Sequence, residues 1–134
     1  MKRAAEANGW QVAAEGVVPD EKSEIQRAIR EQTNKGCHLI LTTGGTGVAP
    51  RDVTPEAVRE LAVRELPGFG EIMRHESMKI NHNAILSRNL AAVVGRTLVI
   101  CLPGKPSGAV ECLGFVQAAI PHCVEVLQEI PTGC

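Results

Sequence analysis

Two short, uninterrupted apolar runs constrain this chain more than any other feature. Residues 37–43 read Cys-His-Leu-Ile-Leu-Thr-Thr, and residues 97–102 read Thr-Leu-Val-Ile-Cys-Leu. Runs of this length without polar alternation are strands buried on both faces, as in sheets covered by helices on either side. Each opens into a glycine-bearing loop, 44–52 after the first and 103–108 after the second. Helical patterns fill the intervals. Ile25, Ala28 and Ile29 make an i, i+3, i+4 stripe within residues 21–35, and Gly36 stops it. Thr54-Pro55-Glu56 offers an N-cap, a proline at the first helical position and an acid in the first turn. Ala57, Val58, Leu61 and Ala62 form the apolar stripe behind it, and Pro67-Gly68 reads as its end.

Elsewhere the pattern is more uneven. Residues 2–8 read as the tail of a helix with Gly9 in the C-cap role, and residues 10–18 as a Val-enriched strand ended by Pro19-Asp20. Residues 69–77 suggest a short helix. Within 78–96 only a helical piece around 84–89 is legible. The last helix carries Val110, Leu113, Val116 and Ile120, is interrupted at Pro121, and is followed by Val124, Val126 and Leu127. Strands alternating with helices imply α/β: three layers, α/β/α, around a mainly parallel sheet in a single domain spanning 1–134.

Composition narrows the partners. Lys+Arg number 14 against 15 Asp+Glu, a formal net charge of −1, which argues against holding a nucleic-acid backbone. Two Phe, one Trp and no Tyr leave little for base stacking. The longest stretch without a charged residue, 36–50, is too short and too rich in Gly and Thr to cross a bilayer. No apolar segment follows the charges at the start, so no secretory signal is expected and the setting is cytoplasmic. The five cysteines (Cys37, Cys101, Cys112, Cys123, Cys134) form no C-x-x-C pair. The four histidines lack metal-ligand spacing, so a zinc site is not expected.

Parallel sheets bind ligands at the carboxyl ends of their strands, where the 44–52 and 103–108 loops and Pro19-Asp20 would converge. In Thr42-Thr43-Gly44-Gly45-Thr46-Gly47, glycines permit positive φ and close backbone approach, so consecutive N–H groups can face one anion such as a phosphate. Asp52 lies in the same loop. An acid beside a phosphate cradle suggests an intervening cation, making Asp52 a candidate Mg²⁺ ligand; pairing with Arg51 is the plainer alternative. Asp20 stands where an N-cap for the helix at 21–35 would be, which does not exclude contact with a ligand. Lys105 could steady a phosphate or simply be solvated. Ser107 and the N–H groups near Gly108 form a second possible anion site. Arg88, after Ser87, could clamp an anion or form a salt bridge.

Taken together, these residues resemble a known family. Leu39-Ile40-Leu41-Thr42-Thr43-Gly44-Gly45-Thr46-Gly47 and Arg51-Asp52-Val53-Thr54-Pro55-Glu56-Ala57 are similar to the signature of molybdenum-cofactor biosynthesis proteins that bind molybdopterin. Residues 67–74, 84–88, Leu102-Pro103-Gly104-Lys105-Pro106, Glu111-Cys112-Leu113 and Val17-Val18-Pro19-Asp20 extend the likeness over about residues 1–129. Within the family the chain looks most like the molybdopterin adenylyltransferases, including gephyrin's molybdopterin-binding domain. The resemblance implies transfer of adenylyl from Mg-ATP to molybdopterin, with release of pyrophosphate. Its functionally important acids fall on Asp52 and Asp20. Phosphate or pterin would sit against Thr42, Thr43, Gly44, Gly45, Thr46 and Gly47, and Pro103, Gly104, Lys105, Ser107 and Gly108 would line the other side. It further implies a homotrimer and, as a partner, the enzyme that inserts molybdate. The family pattern opens with a strand and a Ser-Asp loop ahead of the first helix, which the resemblance implies are missing here. A non-catalytic pterin-binding or assembly module is therefore an open alternative, as is the related domain of the inserting enzyme.

Overall fold

A computed structural model describes residues 1–131; Cys134 lies outside the described residues. Its sheet has four strands in the order β1-β4-β3-β2. These are β1 (Leu39–Thr43), β2 (Arg64–Glu65), β3 (Leu90–Val94) and β4 (Thr97–Leu102). The helices are α1 (Lys2–Ala7), α2 (Lys22–Asn34), α3 (Thr54–Leu61), α4 (Pro67–Met78), α5 (Pro106–Val116) and α6 (Ile120–Leu127), with 3-10 turns at His82–Leu86 and Gln117–Ala119.

The two apolar runs are neighbours in the sheet, paired in parallel from Leu39 opposite Leu98 to Thr43 opposite Leu102. The expectation that both are buried on both faces is corrected for β1: it stands at the edge of the sheet and is only partly buried, because β4 is its one strand neighbour among the described residues. The expected mainly parallel sheet is corrected to a mixed one, because β3 runs antiparallel to β4 and β2 antiparallel to β3. The reason is local. Gly95, at φ +62°, lets the chain reverse between Val94 and Thr97, so Leu90–Val94 folds back on its neighbour without a crossover.

Every residue of β3 and β4 is buried. Alternation along β4 sends Leu98, Ile100 and Leu102 to one face and Val99 and Cys101 to the other. The first face packs with Met73 of α4, Ala109, Leu113 and Val116 of α5, and Ile120. The second packs with Ile25 and Ile29 of α2 and Ala57 and Val58 of α3. The three layers are thus α4–α5–α6, sheet, α2–α3. By length and mean hydropathy Pro106–Leu127 could reach across a bilayer. A 3-10 turn divides it, however, and its apolar stripe is the face covering the sheet.

Several boundaries differ from expectation. Residues 10–18 form no strand, and Val17 is fully exposed. Val-rich composition favours a strand only where a ladder partner satisfies the backbone, and among the described residues none pairs with this segment. Pro67 opens α4 rather than closing α3, since a proline at the first helical position loses no intrahelical bond. Thr54 is already helical and makes no side-chain cap bond; Val53 holds the cap position. Glu21, not Asp20, precedes α2, again without a side-chain cap bond. Val110 is exposed, and Ala109 and Cys112 take its place in the α5 stripe.

Candidate functional site

The carboxyl ends of β1 and β4 release the two expected loops side by side. Gly44 N–H donates to the Leu102 carbonyl (3.0 Å), so the ladder continues one residue beyond the strands. Beyond it the loops touch backbone to backbone. A Cβ on Gly104 would lie 3.2 Å from Gly44 Cα, a separation only glycine accepts without displacement. Gly44 and Gly45 both have positive φ, at 92° and 69°. Gly45 then presses against α3: its carbonyl accepts from Thr54 N–H at 3.1 Å, and a Cβ there would stand 2.2 Å from Thr54 Oγ1.

The threonines divide. Thr43 is exposed at the end of β1, whereas Thr46 is buried and Thr42 turns a buried hydroxyl inward against Cys101. Burial pushes the Cys101 thiol up to about 11, too high for a nucleophile at neutral pH. Of the three hydroxyls, only that of Thr43 is placed where a ligand can reach it.

Asp52 closes the loop. Its Oδ2 accepts the Ala49 N–H at 2.9 Å and lies beside Gly47, where a Cβ would approach it to 2.8 Å. Arg51 does not pair with Asp52; it reaches Asp20 at 3.8 Å, drawing the Pro19-Asp20 segment toward this loop. Lys105, Ser107 and Gly104 are exposed on the opposite bank, with Pro103 and Gly108 half-buried at the base of α5.

Arg88 is no free anion clamp. Its Nε donates to the Gly47 carbonyl (2.8 Å) and its Nη2 to the Asp52 carbonyl (2.6 Å), while Nη1 meets the Glu56 carboxylate. The Arg88 hydrogen bond holds the Glu56 carboxyl below the usual carboxylate range, against the opposing effect of desolvation. Beside it opens a cleft that the sequence did not single out, lined by Arg59, Glu71, Arg74, Ser87 and Asn89 among others. Ser87 Oγ and Asn89 Oδ1 are buried there without a protein partner. Arg74 Nη1 donates to the Asn89 carbonyl at 2.7 Å, and Gly70 has no room for a Cβ against that same oxygen. Arg74, held in place by that carbonyl, is the group of this cleft suited to a polar, hydrogen-bonding ligand.

Residues 1–122 match the family described as a probable molybdopterin binding domain. The chain belongs to this family. The molybdopterin adenylyltransferase of Helicobacter pylori strain J99 is 46% identical over 112 residues, covering 83% of this chain and 64% of that protein. Gephyrin of Dictyostelium discoideum is 45% identical over 115 residues, covering 86% of this chain and 16% of that protein. Among solved structures, the molybdopterin biosynthesis enzyme MoaB of Thermus thermophilus superimposes with a TM-score of 0.89 at 44% identity, covering 97% of this chain and 82% of that one. The chain thus spans just under two thirds of its Helicobacter relative.

Two resources at the carboxyl edge escaped the sequence. Arg74 and Asn89 are joined only by the fold, and their one local signal was Gly70 followed by an arginine one helical turn later. Among the described residues no three His, Cys, Asp or Glu side chains gather to hold a metal. Mg²⁺ does not require such a cluster, since it commonly takes one or two carboxylates with substrate phosphates and water. Asp52, oriented by the Ala49 amide, fits that donor set.

Proposed function

We propose that this chain catalyses Mg-dependent transfer of adenylyl from ATP to molybdopterin. The observation that carries the proposal is the loop pair at the carboxyl edge. Gly44 and Gly104 bring two backbones into contact beside an acid oriented by its own loop, and similarity to proteins named molybdopterin adenylyltransferase supports the substrates. Glycine-lined backbone receives phosphates through N–H groups, and Thr43 adds an exposed hydroxyl. Lys105 stands on the facing loop to offset charge as pyrophosphate leaves. The cleft of Ser87, Asn89 and Arg74 suits the pterin, whose ring edge carries both donors and acceptors.

In this reaction a phosphate oxygen of molybdopterin bonds to the α-phosphorus of ATP as the bond to the β-phosphate oxygen breaks. The substrate brings its own nucleophile, so the protein's work is alignment and charge neutralisation. Asp52 would hold Mg²⁺, which supplies charge neutralisation at the phosphates. Asp20 borders the same loop through Arg51. A homotrimer, a cytoplasmic setting and hand-over to a molybdate-inserting enzyme belong to the same proposal.

The test is adenylylation of molybdopterin by the purified chain with Mg-ATP, product being separated by chromatography, beside Asp52→Asn. Parent turnover falling by about two orders of magnitude or more in the variant is expected for loss of a group that neutralises transition-state charge. Retained turnover with unchanged Mg²⁺ dependence would remove Asp52 from the metal. Molybdopterin binding without product would transfer the assignment to the binding module.

A further inference from the structure

Arg88 stands where the cleft and the glycine loop meet. Its peptide N–H donates to the Thr46 carbonyl at 2.8 Å, adding to the side-chain bonds to Gly47 and Asp52. Thr46 and Gly47 lie on the entering limb of the loop and Asp52 on the leaving limb, so one residue grips both. Glu56, in the first turn of α3, fixes the guanidinium from the far side. A segment with Gly44, Gly45 and Gly47 has much conformational freedom to lose and does not hold a carboxylate still unaided. An exposed ion pair contributes little by itself, whereas a planar fork meeting carbonyls from two limbs sets a geometry.

We infer that Arg88, held by Glu56, is a positioning residue that staples the two limbs of the 44–52 loop and thereby fixes Asp52 before any ligand arrives. The functional part rests on the proposed meeting of Asp52 with Mg-ATP; the staple is a property of the loop itself. Lysine cannot replace the side chain, because an ammonium is a single centre that cannot span the Gly47 and Asp52 carbonyls and the Glu56 carboxylate, although the peptide N–H donation to the Thr46 carbonyl would remain. Loosening the loop divides the dissociation constant by the fraction of molecules with the loop in place, so KM for Mg-ATP rises more than kcat falls.

The experiment compares the parent chain with Arg88→Lys, Glu56→Gln and, as a control, Arg96→Lys, which touches an exposed pair with Glu129 away from the loop. Three readouts are taken: amide hydrogen exchange across residues 45–53, calorimetric binding of a non-hydrolysable ATP analogue with Mg²⁺, and steady-state KM and kcat. Arg88→Lys should speed loop exchange and weaken analogue binding by about tenfold, the scale of one hydrogen bond to a charged group. Glu56→Gln should do the same to a smaller degree, and Arg96→Lys should do neither. Loop exchange at the parent rate in Arg88→Lys would overturn the staple. A faster loop with unchanged analogue binding would overturn its bearing on the site. If Arg88→Lys fails to fold, Glu56→Gln, which keeps the size and an acceptor oxygen, decides on the same terms. A parent chain that binds no Mg-ATP analogue overturns the functional part and the reading of Asp52, while loop exchange still decides the staple.

Discussion

At Gly45 the loop has no space for a methyl group. The residue combines a φ of +69° with a hypothetical Cβ 2.2 Å from Thr54 Oγ1, and Thr54 is buried and branched at Cβ, so it cannot swing aside. Gly44 has the larger φ, +92°, but its nearest neighbour to a Cβ is Gly104 Cα at an ordinary 3.8 Å. Gly44→Ala should therefore cost about 1 kcal/mol of backbone strain, and Gly45→Ala at least about 2 kcal/mol more from overpacking. Urea unfolding of both variants checks this; equal losses would mean that Thr54 yields. The glycine cluster was legible in the sequence as a place of positive φ, but the reason for each glycine was not. Gly45 serves the contact with α3 and Gly104 the contact between loops, and both partners are set by tertiary structure. Asp52 was singled out in the sequence as an acid beside the glycine loop, and its bond from Ala49, three residues away, keeps it within that loop. Arg88 was read as an anion clamp or a salt bridge, and it does pair with Glu56; its grip on the loop was not legible, because its partner Gly47 is 41 residues away.

At the scale of elements, α3 is tied to the segment before β3 through Glu56 and Arg88, and this tie responds to pH. The Arg88 hydrogen bond holds the Glu56 carboxyl below its ordinary value, so its folded pKa lies under the unfolded one of about 4.3. The stabilisation is therefore complete above the unfolded value and is lost as pH falls through the folded one. Thermal melting of the parent should thus decline more steeply than that of Glu56→Gln between about pH 5 and pH 3. Parallel curves would show that the pair contributes nothing measurable, as for many exposed pairs. The same region explains which elements were hidden in the sequence. β1 and β4 announced themselves as apolar runs, but only β4 is buried throughout, while β1 is a partly buried edge strand. β3, Leu-Ala-Ala-Val-Val, is equally buried, but it lies between an unpatterned stretch and a glycine turn, so its strand character shows only as half of a hairpin with β4. β2 is two exposed charged residues, and its pairing with Val93 and Ala92 has no sequence signature.

For the whole molecule, the sheet has protected interior strands, and its β1 edge is open among the described residues. Among the described residues β1 pairs only with β4. Because Gly44 N–H meets Leu102 and the His38 carbonyl accepts from Leu98, the even residues of β1 direct their peptide groups at β4. By alternation, the amides of Leu41 and Thr43 point away from it. Hydrogen exchange should then be graded across the fold, since protection follows burial and pairing. Amides in 90–94 and 97–102 should open only with global unfolding. Ile40 and Thr42 should be intermediate, Leu41 and Thr43 faster, and residues 10–18 fastest. The contrast between neighbouring amides of β1 is the sharp part, because local flexibility would move all of them together, whereas an open edge moves every second one. Uniform protection along β1 would mean that its outer side is covered in solution. If protection extended to residues 10–18 as well, that segment would be the cover, adopting the strand that its valines suggested. If 10–18 stayed open while Leu41 and Thr43 were protected, the cover would come from a second copy of the chain, and the protection should fade on dilution.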